Sequence, residues 1–279
     1  MKRILITAKH SYIGNAFAEW TAGKYNIDLI SCRTDEWKQH SFSGYDIIFH
    51  VAGIAHIKEK QENSALYYKV NRDLTIELAT KAKEDGVKQF IFLSSMSVYG
   101  IESGVISKDT LTNPKSNYGI SKLQAEEQIK PLENNNFKIS IIRPPMVYGK
   151  DCKGNYPRLA TLAIKLPLFP SIYNQRSMIH IDNLSELVRL LIEDCGSGVY
   201  FPQNADYVNT SEMVRIIAEV HGKKIGRIEL FNPLLSLLGN KIGMVNKAFG
   251  NLVYDKGMSI YKKNYCVHKL KESIMKTEV

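Results

Sequence analysis

Near its start the chain reads RILITAKHSYIG, residues 3–14. The first five of these residues show no polar alternation, which predicts a β-strand that is buried on both faces. The residues that follow predict a tight turn leading directly into a helix. Similar apolar runs alternate with helical patterns up to about residue 200, and this alternation implies a parallel sheet with right-handed crossovers. In such sheets, ligands bind at the carboxyl ends of the strands.

The predicted elements divide the chain into two parts. Strands and helices alternate as far as Gly149, whereas loops dominate from there to Arg176. We therefore predict a doubly wound α/β domain over residues 1–150 and a smaller α/β lobe over residues 151–279, with the chain crossing between them. Strands are expected at 3–7, 27–32, 46–51, 89–94, 138–143, 178–181 and 198–201, and helices at 13–22, 65–85, 118–132, 184–193 and after 210.

The composition is that of an ordinary folded protein, with 279 residues, 44% hydrophobic and 23% charged. The chain opens on an apolar strand and has no apolar run of about 18 residues, so we expect neither a secretion signal nor a membrane-spanning helix. The scattered residues Cys32, Cys152, Cys195 and Cys266 favour reduced thiols and a cytoplasmic protein. The seven histidines lack metal-ligand spacing, so no metal site is expected.

The formal net charge is +9, and the excess of Lys and Arg is strongest between residues 222 and 279. Such an excess would attract an anionic substrate or surface, but a solvated lysine-rich face is the more common explanation. Residues 230–253 combine paired apolar side chains with Lys241 and Lys247. This pattern is typical of lobe core or a dimer contact, with peripheral contact to an anionic membrane as the alternative. The chain has no nucleic-acid-binding module, so nucleic acid is not an expected partner.

The turn between the first strand and the first helix has the position of a dinucleotide-binding loop. Such a loop needs small residues, because the backbone approaches the pyrophosphate and the helix N-terminus offers it free N–H groups. Glycine would be expected at three positions, where the sequence has Ala8, Ser11 and Gly14. We hypothesise that Ala8 lowers cofactor affinity, because its methyl group crowds the pyrophosphate or demands an unfavourable backbone angle. A plain strand–helix turn is the alternative interpretation.

The end of the second strand bears on the choice between NAD and NADP. An acidic residue there would bind both ribose hydroxyls of NAD, but the sequence has Ser31 and Arg33. A guanidinium pairs well with the oxygens of a 2′-phosphate. The sequence therefore favours NADP over NAD, with an ordinary surface arginine as the competing interpretation.

Tyr118 and Lys122 are four residues apart in a predicted helix, so their side chains lie on one face. A phenol has an unperturbed pKa of about 10, which a neighbouring ammonium and an oxidised nicotinamide both lower. Ser95 follows the preceding strand, where its hydroxyl can fix the same substrate oxygen, although Ser94 or Ser97 could fill that role. These residues predict interconversion of an alcohol and a ketone, with Tyr118 as the acid/base.

Five motifs occur in a familiar order: residues 7–14, HVAG at 50–53, residues 94–100, YGISK at 118–122 and IRPPMVYG at 142–149. Together they resemble the extended short-chain dehydrogenases, specifically the NAD(P)-dependent nucleotide-sugar epimerase/dehydratase family. The resemblance extends from residue 1 to about residue 270. It implies a Rossmann doubly wound parallel sheet with a small C-terminal α/β substrate lobe, and a homodimer.

The resemblance also implies roles for individual residues. Ser95, Tyr118 and Lys122 match the family's catalytic Ser/Thr, Tyr and Lys, whereas Arg143 is expected to pack structurally, and His180 and Asp182 to belong to the lobe scaffold. The residues implied in cofactor binding are Thr7, Ala8, Ser11, Tyr12, Ile13, Gly14, Arg33, Val51, Ala52, Gly53, Asn71, Ser94, Tyr118, Lys122, Pro144 and Val147. The residues implied in substrate binding are Ser95, Met96, Ser97, Tyr118, Asn155, Tyr156 and Arg176, with Arg176 on a phosphate.

The positions after Ser95 restrict the reaction. Dehydratases of the family have Asp-Glu there, whereas this chain has Met96 and Ser97, which argues against dehydration. A 4-epimerase and a 4-ketoreductase of a UDP-sugar remain open, since both use the same three catalytic groups. The altered glycine loop also motivates a non-catalytic, NAD(P)-sensing binding protein, against which the intact catalytic residues argue.

Overall fold

The computed structural model describes residues 1–55, 59–228 and 250–279. Elements of the main sheet lie within a few residues of the predicted ranges, because uninterrupted apolar runs mark its strands. The described strands are β1 (Arg3–Thr7), β2 (Asn26–Ile30), β3 (Ile47–His50), β4 (Gln89–Leu93), β5 (Gly104–Ile106), β6 (Lys138–Ile142), β7 (Met146–Tyr148), β8 (Leu168–Pro170), β9 (Met178–His180), β10 (Gly198–Tyr200), β11 (Gly226–Ile228) and β12 (Leu252–Tyr254). The described α-helices are α1 (Tyr12–Trp20), α2 (Ser64–Tyr67), α3 (Leu74–Glu84), α4 (Asn117–Ile129), α5 (Tyr156–Lys165), α6 (Ile181–Glu193), α7 (Thr210–Val220) and α8 (Leu270–Glu278).

Six of the strands form one sheet in the order β2-β1-β3-β4-β6-β10, and every neighbouring pair in it is parallel. The chain passes from β1 to β2 at one edge and returns to β3 on the other side of β1. The strand order therefore reverses between β1 and β3. This is the doubly wound arrangement that the sequence predicts, so the fold prediction is confirmed. Ligands of such sheets bind at the reversal, which here lies beside the carboxyl ends Thr7 and His50.

The apolar strands hold two helices on one side of the sheet. Every residue of β4 is buried, and Phe90 and Phe92 join a buried cluster with Leu78 of α3 and Ile129 of α4. Burying a side chain of this size contributes roughly 1.5–3 kcal/mol. The cluster thus fixes α3 and α4 relative to the strand ends, where the candidate catalytic residues lie.

The long helix predicted at 65–85 is present but not uniform. α2 passes into a π-helical turn, Tyr68–Asp73, which continues as α3. Asn71 lies in this turn, fully buried, and its side chain hydrogen-bonds both backbone groups of Ile54. Such turns occur mostly inside α-helices and are frequent at functional sites. Apolar periodicity does not reveal one, because the helix continues on both sides.

The chain forms two compact units, and neither is continuous in sequence. The first comprises Met1–Gly100, Leu111–Pro144 and Leu184–Pro202, and the second comprises Ile101–Thr110, Pro145–Asn183 and Gln203–Val279. The six-stranded sheet belongs to the first unit. The described part of the second contains the parallel pairs β5–β12, β7–β9 and β8–β11. β10 completes the first unit from beyond residue 150, so the chain crosses from one unit to the other.

Across the described ranges, no helix combines the length and the apolar character needed to cross a membrane. The same residues contain no group of three or more His, Cys, Asp or Glu side chains placed to hold a metal ion. Most of the amphipathic stretch at 230–253 falls within 229–249, outside the described residues, so membrane contact there stays a prediction.

Candidate active site

The loop between β1 and α1 is a tight turn capped by Ser11. The Ser11 hydroxyl accepts a hydrogen bond from the Gly14 N–H at 3.3 Å, and the Ser11 N–H donates to the Ala8 carbonyl at 2.8 Å. Ala8 has φ = 71°, in the left-handed region that glycine adopts without strain. A residue with a Cβ costs roughly 1–2 kcal/mol there, so the unfavourable backbone angle expected at Ala8 is present.

Gly14 is required by close packing at the start of α1. A Cβ at this position would lie 2.8 Å from Cγ2 of Ile6 and 3.2 Å from Cγ2 of Val51. Glycine therefore lets the N-terminus of α1 approach the carboxyl ends of β1 and β3. The N–H groups of Tyr12 and Ile13, in the first helical turn, then lie where doubly wound sheets bind a pyrophosphate.

The ends of β1 and β3 are joined directly. The Thr7 hydroxyl accepts hydrogen bonds from the N–H groups of Val51 and Ala52, at 3.2 and 3.3 Å. Thr7 is fully buried, and Val51 and Ala52 are buried as well. The structure thus brings these three predicted cofactor residues together at the point where the strand order reverses.

Asn71 links the segment after β3 to α4. Its Oδ1 accepts from the Ile54 N–H at 2.8 Å, and its Nδ2 donates to the Ile54 carbonyl at 3.1 Å and to the Ser121 hydroxyl at 3.2 Å. A Cβ on Gly53 would lie 3.1 Å from Asn71 Oδ1 and 3.2 Å from Lys122 Nζ. The absence of a side chain at Gly53 therefore lets the backbone approach both polar groups closely.

Lys122 is buried in α4 with modest compensation for its charge. Its Nζ donates to the Leu93 carbonyl at 2.8 Å and lies 4.6 Å from the centre of the Phe92 ring. Burial lowers the pKa of Lys122 to about 7, although the Glu126 carboxylate one turn later opposes the shift. A buried amine that titrates near neutrality is typical of catalytic sites.

Burial raises the pKa of the Tyr118 phenol, and the Ser95 side chain acts on that pKa in the opposite direction. Of the three serines that the sequence leaves open, Ser95 is the one that acts on the phenol. Ser94 instead donates to Glu126 at 2.5 Å, and Ser97 is exposed and donates its N–H to the Ser95 hydroxyl at 3.1 Å.

Contacts between main chains hold the loop at 95–100 against the start of α4. A Cβ on Gly119 would lie 2.6 Å from the Ser97 carbonyl oxygen, and one on Gly100 would lie 2.0 Å from the Asn113 carbonyl oxygen. Neither position has room for a side chain. The separation between this loop and α4 is therefore set by backbone atoms, whose positions vary less than those of side-chain atoms.

Glu126 is a residue of this site that the sequence analysis missed. It is fully buried and accepts from Arg143 Nε at 3.0 and 3.1 Å and from Arg143 Nη2 at 2.6 Å, as well as from Ser94. Arg143 also donates to the Tyr99 hydroxyl at 2.9 Å. Arg143 therefore has the structural role that was expected, and the Ser94 hydroxyl is engaged by the Glu126 carboxylate. The sequence signal that could have revealed Glu126 is its position four residues after Lys122, which places both side chains on one face of α4.

Three further predicted residues lie in the first unit, namely Met96, Pro144 and Arg33. The Met96 side chain is buried, and its N–H donates to the buried Pro144 carbonyl at 2.9 Å. Arg33 follows β2 with an exposed side chain, and its N–H donates to the Ser31 hydroxyl at 3.4 Å. Its guanidinium is thus accessible to a ligand phosphate.

In the second unit, Tyr156, which the resemblance implies in substrate binding, packs against other residues of that unit. It is buried, its hydroxyl donates to Glu278 at 2.6 Å, and its ring stacks on Tyr148 with centroids 5.3 Å apart. The hydroxyl that would bind a substrate is therefore already engaged. Asn155, immediately before α5, is half-buried.

Arg176 lies between two segments of the second unit. Its main chain pairs with Val208 and Leu252, and its Nη1 donates to the Gly250 carbonyl at 3.0 Å. Burial lowers its pKa from the usual arginine value. Val147, half-buried in β7, belongs to the same unit.

The first unit has the features that a nicotinamide dinucleotide requires. A helix N-terminus faces the strand reversal, Gly14 and Gly53 permit close backbone approach, and Asn71 and Lys122 converge beside Gly53. Side chains can move a proton at Tyr118 but cannot supply a hydride, which is the cofactor's chemistry. The residues present therefore fit the cofactor and complement it.

Comparison with known proteins points to the same chemistry. The profile of the NAD dependent epimerase/dehydratase family matches residues 9–201. A UDP-glucose 4-epimerase of Vibrio cholerae is 32% identical over 270 residues, covering 90% of this chain and 81% of the relative. An N-acetyl-alpha-D-glucosaminyl-diphospho-ditrans,octacis-undecaprenol 4-epimerase of Escherichia coli O157:H7 is 25% identical over 269 residues, covering 88% and 81%.

Among solved structures, the UDP-glucuronic acid 4-epimerase of Bacillus cereus in complex with NAD has a TM-score of 0.75 at 18% identity, covering 99% of this chain and 97% of that one. This similarity shows a shared fold. Together with the family match and the 32% identical relative, it confirms the family prediction. The chain therefore belongs to the NAD-dependent epimerase/dehydratase family, as an NAD(P)-dependent sugar-nucleotide enzyme of the extended short-chain dehydrogenase type.

Proposed function

We propose that the protein is a 4-epimerase of a UDP-linked sugar, which removes hydride from C4 and returns it to the opposite face. The observation that carries this proposal is that Tyr118 and the buried Lys122 lie one turn apart on α4, with the Ser95 side chain acting on the Tyr118 phenol. The names of two relatives support reaction at C4, and that of the Vibrio cholerae enzyme supports a UDP-sugar.

In this reaction the nicotinamide, when bound, accepts and returns the hydride. Tyr118 takes the proton of the C4 hydroxyl and later gives it back, while Ser95 holds the same oxygen in place. Because burial raises the pKa of Tyr118, the phenol is a neutral acid in the protein alone. A charged Lys122 on the same helix favours the phenolate, which is the form that acts as a base.

A 4-ketoreductase of a UDP-linked sugar is the second candidate, and Arg33 favours it. Its exposed guanidinium after β2 suits the 2′-phosphate of NADP, so we propose a preference for NADP(H). A reductase takes up reduced cofactor and releases the oxidised form, whereas an epimerase retains its cofactor through the cycle. A non-catalytic sensor is not favoured, because family membership and the three catalytic groups both indicate an enzyme.

The first test is to denature the purified protein and assay the supernatant for NAD(H) and NADP(H). Stoichiometric cofactor would support the epimerase, which is then assayed for conversion of UDP-glucose and UDP-N-acetylglucosamine to their 4-epimers. Cofactor-free protein that binds NADPH on titration would support the ketoreductase. Protein that binds neither cofactor would contradict both proposals.

The catalytic role of Tyr118 is tested with Tyr118→Phe, which removes only the phenolic oxygen. Turnover should fall at least about 100-fold, the lower end of acid/base contributions. Tyr200→Phe is the matched control, since Tyr200 lies at the end of β10 and its hydroxyl donates to the nearby Ser197 carbonyl at 2.8 Å. Equal turnover in the two variants would exclude Tyr118 as the acid/base.

A further inference from the structure

His50 is fully buried at the carboxyl end of β3, and the proposed chemistry does not use it. Its ring centroid lies 5.7 Å from those of both Phe90 and Phe92. Thr7 Oγ1 lies 2.7 Å from its Nδ1, and Thr75 Oγ1 lies 2.9 Å from its Nε2. A polar ring in an apolar core is costly unless both nitrogens are hydrogen-bonded, as they are here.

The partners of His50 define which ring nitrogen carries the hydrogen. Thr7 Oγ1 already accepts the N–H groups of Val51 and Ala52, so its own hydroxyl hydrogen is directed at His50 Nδ1. Nδ1 is therefore an acceptor, and the hydrogen resides on Nε2. Nε2 donates to Thr75 Oγ1.

The series of hydrogen bonds continues in one direction, because the Thr75 hydroxyl donates to the Asn71 carbonyl at 2.8 Å. A charged imidazole would place two donors face to face at Thr7. Burial holds the pKa of His50 well below its usual value, and the nearby Lys122 charge acts in the same direction. His50 is thus neutral, with a single tautomer.

We propose that His50, neutral and protonated at Nε2, is a positioning residue that ties the cofactor-facing backbone at 51–53 to the π-helical turn. One end of the series holds the N–H groups of residues 51 and 52, and the other holds Asn71. Asn71 in turn lies beside Gly53 and Lys122. The inference rests on the proposed function, since it assigns His50 to the cofactor site of that enzyme.

Thr75→Val tests this role. The substitution preserves size and β-branching but removes both the acceptor of His50 Nε2–H and the donor to the Asn71 carbonyl. The dissociation constant of NAD(H) or NADP(H), whichever the wild-type protein binds, should rise about tenfold, the factor expected for one buried hydrogen bond. Titration followed by fluorescence measures it.

Thr21→Val is the matched control. Thr21 is also buried, and its hydroxyl donates to the carbonyl four residues earlier, that of Phe17, at 2.8 Å. Thr21 lies outside the His50 series. Thr21→Val should therefore lower the melting temperature about as much as Thr75→Val does but leave the dissociation constant of the cofactor unchanged. If Thr75→Val also leaves that constant unchanged, His50 is merely structural and the inference is overturned.

The tautomer is tested on the wild-type protein by NMR of ¹⁵N-labelled histidine, independently of activity and of any variant's folding. We expect His50 to be protonated only at Nε2, with no titration between about pH 5 and pH 8. A hydrogen on Nδ1, or titration in that range, would overturn the inference. Wild-type protein that binds neither cofactor would overturn the proposed function and the positioning role together, whereas binding that Thr75→Val does not weaken would overturn the positioning role alone.

Discussion

Lys122 and Arg143 are both buried cations of the first unit, and their charges are compensated very differently. Arg143 forms a bidentate ion pair with Glu126 and also bonds the Tyr99 hydroxyl. Burial lowers its pKa, but Glu126 more than offsets this, so the pKa is raised. Lys122 donates to the Leu93 carbonyl, and burial lowers its pKa to about 7. The comparison separates a cation that stabilises the fold from one whose burial is costly and is explained by its role in the proposed reaction.

Lys122→Met should have the largest effect, because it removes the buried ammonium that the proposed reaction uses. We expect kcat to fall about 1,000-fold, or about 4 kcal/mol in activation free energy, since no ammonium then favours the Tyr118 phenolate. Steady-state turnover of the UDP-sugar that the wild-type enzyme accepts measures it. Lys130→Met is the control: its side chain is 46% exposed, and turnover should stay within about twofold. A loss below tenfold in Lys122→Met would contradict its role.

Arg143→Met removes the buried guanidinium that forms the ion pair with Glu126. It leaves the buried Glu126 without its bidentate partner, so the free energy of unfolding should fall by about 3–5 kcal/mol. Urea denaturation measures this loss. The double variant Arg143→Met/Glu126→Leu should recover most of it, because no buried charge is then left alone. If the single and double variants were equally destabilised, the ion pair would not explain the cost.

The pH dependence of stability sharpens the comparison further. The pKa of Lys122 is about 7 in the fold against an ordinary 10.5, so between these values the unfolded chain binds more protons and wild-type stability rises with pH. Lys122→Met lacks this dependence. It should exceed the wild type by about 2 kcal/mol near pH 6, and the difference should shrink steadily above pH 7. Urea denaturation at several pH values tests this, and a difference independent of pH would contradict the lowered pKa.

Ala8 is a second position with an uncompensated cost, and we expect the smallest effect there. Ala8→Gly should raise the free energy of unfolding by about 1 kcal/mol, because glycine adopts φ = 71° without strain. It should also tighten cofactor binding, which titration measures. Ala160→Gly, within α5, should instead lower the free energy of unfolding by about 1 kcal/mol. Destabilisation by both substitutions would show that Ala8 is not strained.

The sequence predicts the main sheet because its strands are uninterrupted apolar runs, and β1 lies at its predicted bounds, Arg3–Thr7. It also predicts Ser95, Tyr118 and Lys122 as a group, since helical spacing and strand ends bring them near one another. Glu126 could have been found from the same spacing. The pairing of β5 with β12 could not, because it joins residues 104–106 to 252–254 and leaves no local signal.

Tyr156 shows a different limit of sequence reasoning. A tyrosine beside Asn155 in a loop-rich stretch is chemically suited to bind a substrate, and its local sequence does not distinguish this from packing. The distinction depends on Glu278, 122 residues later, which accepts its hydroxyl hydrogen. Roles that depend on one distant partner are visible only once the chain is folded.

The discontinuous first unit has a consequence for synthesis on the ribosome. The last strand of its sheet along the chain is β10, which pairs with β6, so the unit cannot be completed until residue 202 has been translated. Until then β6 exposes unpaired backbone groups, which are a template for aggregation. A nascent chain that pauses anywhere between residues 144 and 198 keeps this edge open, and a chain terminated near residue 150 keeps it open permanently. Translation speed and chaperone capture over that interval should therefore govern the yield of the folded protein.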